Sequence, residues 1–223
     1  MTAMIHATNI VKSYQNGSTI TTVLSGVSLS VARGEFLFLV GPSGSGKSTL
    51  LSILGCVLAA DEGSLAMFDK DVLRMSGGEL TRFRRNHLGF VFQRYHLFPG
   101  LSARENVRVP LDLRGLNKSE GNRRAADMLA AVGLAEKADS QINRLSMGQR
   151  QRVAVARALV AQPEIVFADE PTASLDAESG KTTIELMRDL AKQRHTTVVV
   201  VTHDSRILGY ADRVLHLENG QLT

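Results

Sequence analysis

Nine consecutive residues, Gly41, Pro42, Ser43, Gly44, Ser45, Gly46, Lys47, Ser48 and Thr49, carry the pattern G-x-x-x-x-G-K-[ST]. Glycines at these positions let backbone N–H groups turn inward around phosphate oxygens. Lys47 can bridge β- and γ-phosphates, and the Ser48 hydroxyl can be offered to Mg²⁺. The apolar run before the loop reads as a strand and residues 47–58 after it read as a helix, which is the context a phosphate site needs rather than that of a glycine-rich turn. A second apolar run, EIVFA, ends on Asp169 and Glu170, at the C-terminal edge where parallel sheets bind ligands. There Asp169 would hold the Mg²⁺ shell and Glu170 would orient and polarise a water; the alternative is that both cap the turn at Pro171. A third run, VVVVT, ends at His203, whose ring can donate to a γ-phosphate oxygen and steady that carboxylate, or can simply be satisfied structurally.

Three further positions are open in their chemistry. Gln93 follows the strand-like LGFVF and can reach a metal or a water with its amide. Tyr14 can stack on a purine through its π-face or be an ordinary half-buried aromatic. The segment Ser146, Met147, Gly148, Gln149 begins a helix with the capping box S-x-x-Q. The same helix start, through the Ser146 hydroxyl, the Gly148 backbone and the dipole, reads equally as an anion site.

These residues need elements to hold them. Val23, Val27, Leu29 and Val31 alternate as in a half-buried strand, and residues 35–40 read as a short buried one. Further on, LGFVF, EIVFA and TTVVVV read as strands. Helices are expected from the Ser102–Glu105 capping box, from Ser119 to Gly133, through RQRVAVARALVA up to Pro163, and over residues 179–193. Asn219-Gly220 reads as a hairpin turn. Strands alternating with helices imply an α/β fold with a parallel sheet covered on both faces. The helical, basic middle fits that alternation poorly and reads as an inserted lobe.

Composition narrows the classes. The chain has 223 residues and can bury a core without staples. Its single cysteine, Cys56, sits in an apolar run, which rules out a disulfide within the chain and suits a reducing compartment. No run approaches the ~18 apolar residues of a membrane span, and the first residues lack the pattern of a signal peptide, so a soluble, cytoplasmic protein is expected. Net charge is +4, but residues 74–152 carry fifteen Lys and Arg against seven Asp and Glu. Such a surface can face nucleic acid, anionic headgroups or a protein, with a solvated helical face as the ordinary explanation.

Taken in order along the whole chain, the motifs resemble the nucleotide-binding subunits of ABC transporters. Tyr14 resembles the adenine-stacking aromatic, residues 41–49 the Walker A loop, Gln93 the Q-loop and LSMGQ the signature. IVFADE is similar to Walker B, Ser174-Leu175-Asp176 to the D-loop, and His203 to the switch histidine. The resemblance implies a P-loop NTPase (RecA-like) core with an N-terminal antiparallel β part and an inserted α-helical lobe. It implies one nucleotide-binding domain over 1–223, with core segments 1–92 and 153–223 and a lobe over about 93–152. ATP and Mg²⁺ would be the cofactors, with Ser48, Gln93 and Asp169 at the metal and Glu170 and His203 catalytic.

It further implies a head-to-tail dimer in which Ser146, Met147, Gly148, Gln149 and Asp176 of one copy close over ATP held by the Walker A loop of the other. Met147 departs from the commoner glycine there. The region LGFVFQRYHLFPGLSARENVRVPL resembles the macrolide-efflux and lipoprotein-release subgroup. That points to a separately encoded integral membrane permease as partner, with a periplasmic or extracellular adaptor as a further candidate, and no nucleic acid. It also implies a peripheral position on the cytoplasmic face of the inner membrane, with residues 94–110 bordering a groove for a permease helix. Two rival readings are a signalling ATPase on a non-transporting membrane partner and a non-transport ABC ATPase acting on nucleic acid.

Overall fold

A computed structural model describes residues 3–223. Strands β1 (Ala3–Asn16) and β2 (Thr19–Ala32) are followed by β3 (Phe36–Val40), helix α1 (Lys47–Leu54), β4 (Glu62–Met67), β5 (Lys70–Asp71), α2 (Gly77–His87) and β6 (Leu88–Val91). Helices α3 (Ala103–Leu113), α4 (Lys118–Ala131) and α5 (Met147–Leu159) come next. The chain then runs through β7 (Ile165–Asp169), α6 (Ala177–Gln193), β8 (Thr197–Thr202), β9 (Arg213–Glu218) and β10 (Gln221–Leu222). One sheet has the order β2-β1-β4-β5 and is antiparallel. The other has the order β10-β9-β3-β8-β7-β6 and is parallel from β9 to β6, with β10 antiparallel at its edge.

The side-chain period of two explains why the central strands are apolar throughout. In β3, Phe36, Phe38 and Val40 enter one core with α3, α4, α5 and α6, whereas Leu37 and Leu39 enter a second with α1 and the antiparallel sheet. Phe38 and Phe167 are fully buried, each worth roughly 1.5–3 kcal/mol of transfer free energy. Because the central parallel strands β3, β7 and β8 are committed on both faces, only their C-terminal ends are free to carry chemistry.

Helices α3 and α4 lie between β6 and β7 and share a core with α5, which continues without a break past residue 152. The capping box at Ser102 forms as expected, with its hydroxyl accepting from the Glu105 N–H and Glu105 accepting in return. Asn219 (φ 47°) and Gly220 (φ 75°) make the expected hairpin turn between β9 and β10.

Three expectations are corrected. In β2 the buried residue is Leu24 and Val23 is half-buried, because the ladder to β1 shifts register between Ala7 and Val11, opposite Gly26 at φ 78°, and the inward phase slips by one. Helix α4 starts at Lys118 rather than Ser119, since the Asn117 side chain accepts from the Glu120 N–H and takes the cap. Helix α1 ends at Leu54, where Gly55 and then Cys56 at φ 56° turn the chain out. Unread in the sequence were β1, β4, β5 and α2, although α2 announces itself with a capping box, Ser76 to Glu79.

Candidate functional site

The loop between β3 and α1 is built by glycine. Gly46 caps α1 at φ 102°, and a Cβ there would come within 2.8 Å of the Val23 carbonyl oxygen and 2.9 Å of Leu24, so only glycine lets the helix start beneath β2. A Cβ on Gly41 would overlap the Leu217 carbonyl. Lys47 is buried and folds back, its Nζ donating to the carbonyls of Gly41 at 2.9 Å and Pro42 at 2.8 Å. The ammonium thereby cross-links the loop and leaves one N–H for an anion. A cleft of about 630 Å³ opens above, lined by Ser43, Gly44, Gly46, Lys47, Ser48, Thr49, Gln93, Glu170, His203 and Val23. Gly41, Pro42 and Ser45 belong to the loop but do not line the cleft. Val23 was not foreseen as a wall; its half-buried state is a product of the register shift in β2.

Behind Ser48, β7 ends on Asp169, which does not itself line the cleft but accepts a hydrogen bond from the Ser48 hydroxyl at 3.0 Å. Burial raises the Asp169 carboxyl above its ordinary value; the Ser48 bond lowers it, Glu170 beside it raises it, and Lys47 lowers it. Two hard oxygens, a hydroxyl and a carboxylate, thus face one point. They fit a Mg²⁺ that completes its shell with phosphate oxygens and water, and among the described residues no group of three His, Cys, Asp or Glu offers an all-protein cage.

Glu170 has φ 47°, unusual for a residue with a Cβ, and is held there by its own N–H donating to Val201 O at 2.9 Å. Its Oε1 lies 2.7 Å from His203 Nδ1, and its Oε2 accepts from the His203 backbone N–H at 3.4 Å. The carboxylate is 12% exposed and the imidazole 65%, so the pair sits at the surface of the cleft with the ring outermost. An ionised carboxylate only accepts, so Nδ1 carries a proton towards Oε1, and Nε2 faces outward, where it can donate to a phosphate oxygen when it too is protonated.

The start of α5 is elsewhere. Ser146, Met147, Gly148 and Gln149 do not line the cleft. The capping box forms, with Ser146 Oγ accepting from the Gln149 N–H at 3.2 Å and Gln149 Oε1 accepting from the Ser146 N–H at 3.0 Å. Met147 is 57% exposed. A Cβ on Gly148 would meet Ser179 at 3.3 Å, so glycine allows α5 to approach the start of α6. Asp176 caps α6 through the Ser179 N–H at 2.9 Å, and hydrogen bonds from Ser179 hold its carboxyl below the usual range. These five residues therefore converge on a surface of their own. Tyr14 is exposed and stands outside the cleft, with Lys12 Nζ 5.7 Å from its ring centroid.

Gln93 leads out of the cleft into a second concavity of about 620 Å³, lined among others by Phe92, His96, Phe98, Pro110 and Leu113. Phe92 and His96 stack at 4.6 Å, and Arg157, buried, donates to the carbonyls of Tyr95 and His96 at 2.7 and 2.6 Å. Arg94 does not line this groove, although Val109 and Pro110 do. The basic middle is largely spent internally. Arg84, Arg114, Arg150 and Arg152 donate to backbone carbonyls, and Arg104, Arg108, Arg123 and Arg124 pair with carboxylates. Among the described residues no helix is long and apolar enough to cross a membrane.

A family model described as ABC transporter matches residues 24–173. The macrolide export ATP-binding/permease protein MacB of Psychrobacter cryohalolentis is 40% identical over 219 residues, covering 98% of this chain and 33% of that protein. MacB of Shewanella oneidensis is 44% identical over 209 residues, 94% of this chain and 32% of that protein. The chain thus spans about a third of the length of the curated relatives it matches. Among solved structures, a dimeric, post-hydrolysis state of the ATP-binding cassette MJ0796 with ADP and Pi superposes with a TM-score of 0.92 at 39% identity, covering 98% of this chain and 96% of that one. CbiO1 from Clostridium perfringens, part of an ABC transporter complex, gives 0.88 at 28% identity, over 99% and 87%.

Proposed function

From the premise that this chain belongs to the ABC transporter family, we propose that it binds and hydrolyses ATP between two copies of itself and drives a membrane permease by the closure and release of that dimer. The observation that carries the reading is a separation. Phosphate loop, Ser48–Asp169 pair and Glu170–His203 pair surround one cleft, while the capped start of α5 and Asp176 form a different surface. A helix start with polar groups and no phosphate of its own suits the nucleotide of a neighbour.

In this mechanism the loop N–H groups and Lys47 hold the phosphates, with Ser45 and Thr49 in the same loop. Ser48, Asp169 and Gln93 would hold Mg²⁺, which would supply charge neutralisation at the phosphates. Glu170 accepts a proton from, and orients, the attacking water; His203 fixes the carboxylate and presents its outer nitrogen to the phosphate. Ser146, Met147, Gly148, Gln149 and Asp176 act on the ATP of the partner copy, and Tyr14 stacks on adenine. Residues 1–92 and 153–223 form the core, which supplies Asp176, and about 93–152 the lobe, which supplies Ser146, Met147, Gly148 and Gln149.

The named relatives are macrolide export ATP-binding/permease proteins, which supports a permease partner of that type, whether or not it shares this chain; the lipoprotein-release alternative and the cytoplasmic face of the membrane rest on the sequence resemblance. The Phe92–Leu113 groove is the place for one of its helices. The reading is tested by the ATPase rate per chain as chain concentration rises: an increase supports a two-copy site, and a constant rate overturns it. DNA and RNA leave the rate unchanged, and detergent-solubilised permease raises it.

A further inference from the structure

The loops that carry Glu170 and His203 are tied together a second time. Two residues past Glu170, Thr172 is wholly buried, and its hydroxyl donates to Asp204 Oδ2 at 3.0 Å, one residue past His203. Asp204 is itself fixed from four sides. Arg206 grips both of its oxygens at 2.8 Å, the Arg206 backbone N–H donates to Oδ1 at 3.1 Å, and the Asp204 N–H donates to Thr202 Oγ1 at 3.0 Å. Thr172 also lies beside α6, where a Cβ added at Gly180 would meet its Cβ at 3.4 Å and its methyl at 3.5 Å.

Strands β7 and β8 set the two loops side by side, with Asp169 opposite Val201. Beyond that pair the ladder contributes only the bond from the Glu170 N–H to Val201 O. The separation of the loops is then decided by side chains, and the Thr172–Asp204 bond is one that lies off the cleft lining, with Thr172 wholly buried and Asp204 11% exposed. Rigid support of this kind holds reacting groups within the tolerance that chemistry requires, where an error of about 1 Å can cost on the order of 10²-fold in rate.

The geometry points to Thr172 and Asp204 as positioning residues that set the distance between the Glu170 carboxylate and the His203 ring. This rests on the ATPase reading of that pair. Threonine serves because its hydroxyl donates while its methyl packs against α6; valine keeps the shape and loses the donor. Asp204 keeps Arg206 in the Thr172→Val variant, so no charge is left unpaired and the fold survives.

The test is steady-state ATPase kinetics of the full chain with Thr172→Val and Thr172→Ser, alongside ATP affinity measured in the absence of Mg²⁺. Thr172→Val is expected to lower kcat by about tenfold or more with KM and ATP affinity within about threefold, and Thr172→Ser to recover most of the loss. Turnover in Thr172→Val equal to wild type overturns the inference. So does a fall in ATP affinity that parallels the fall in kcat, because that is what a merely structural threonine would give. The wild-type chain in the same assay separates the two levels: an inactive wild type strikes the ATPase reading and this inference with it, whereas active wild type and equally active Thr172→Val strike the inference alone.

Discussion

His203 addresses both oxygens of Glu170, with Nδ1 2.7 Å from Oε1 and the backbone N–H 3.4 Å from Oε2. One residue on β8's loop therefore orients a carboxylate on β7's loop, and the left-handed backbone at Glu170 turns that carboxylate into the cleft.

Removing the ring removes half of that control. His203→Ala leaves the loop N–H groups, Lys47 and Ser48 untouched, so ATP binding should stay within about threefold while kcat falls by roughly 10²-fold or more. Turnover with saturating ATP and equilibrium nucleotide binding measure the two separately; unimpaired turnover would contradict the role of the pair.

Met147 tests the departure in the signature segment. Its side chain is 57% exposed at the first turn of α5. Met147→Gly is expected to leave ATPase activity unchanged or higher. Abolished activity would show that the methionine makes a contact the reaction needs.

Acid stability should report on Asp204. Its carboxyl is lowered from 3.8 to about 2, chiefly by the Arg206 side chain. A lowered folded value means that its contribution is complete above the unfolded value and is lost as pH falls from about 4 towards about 2. Urea unfolding of wild type and Asp204→Asn should therefore differ most near pH 5 and converge near pH 2; a constant difference across that range would contradict the ion pair.

The legible parts of this chain are those in which chemistry and spacing are local. Residues 41–49 declare their loop because Gly41, Gly46, Lys47 and Ser48 are specific in type at a fixed spacing. Asp169, Glu170 and His203 declare themselves because each ends a run of apolar residues that has to be a buried strand. What was not legible depends on partners far along the chain. The inward phase of β2 turns on a register shift against Ala7–Val11, so alternation alone selected Val23 over Leu24. Thr172 and Asp204 stand 32 residues apart, and nothing local in either one names the other. The excess of arginines in residues 74–152 reads as a surface charge, yet Arg84, Arg114, Arg150 and Arg152 turn inward onto carbonyls that only the fold brings near. Helix α2 was a different kind of miss, because the Ser76–Glu79 capping box was present in the sequence.

Whether the site needs a second copy is tested most directly by the mass of Glu170→Gln in solution. The amide keeps the shape of the side chain and cannot take the proton of the water, so bound ATP should persist and hold the dimer closed. Size-exclusion chromatography with light scattering should give the mass of two 24.2 kDa chains with saturating ATP and of one chain without it. Adding Ser146→Arg, which sets a bulky cation where the neighbour's phosphate would lie, should return the ATP-bound protein to one chain. A single-chain mass for Glu170→Gln at saturating ATP would contradict the two-copy site.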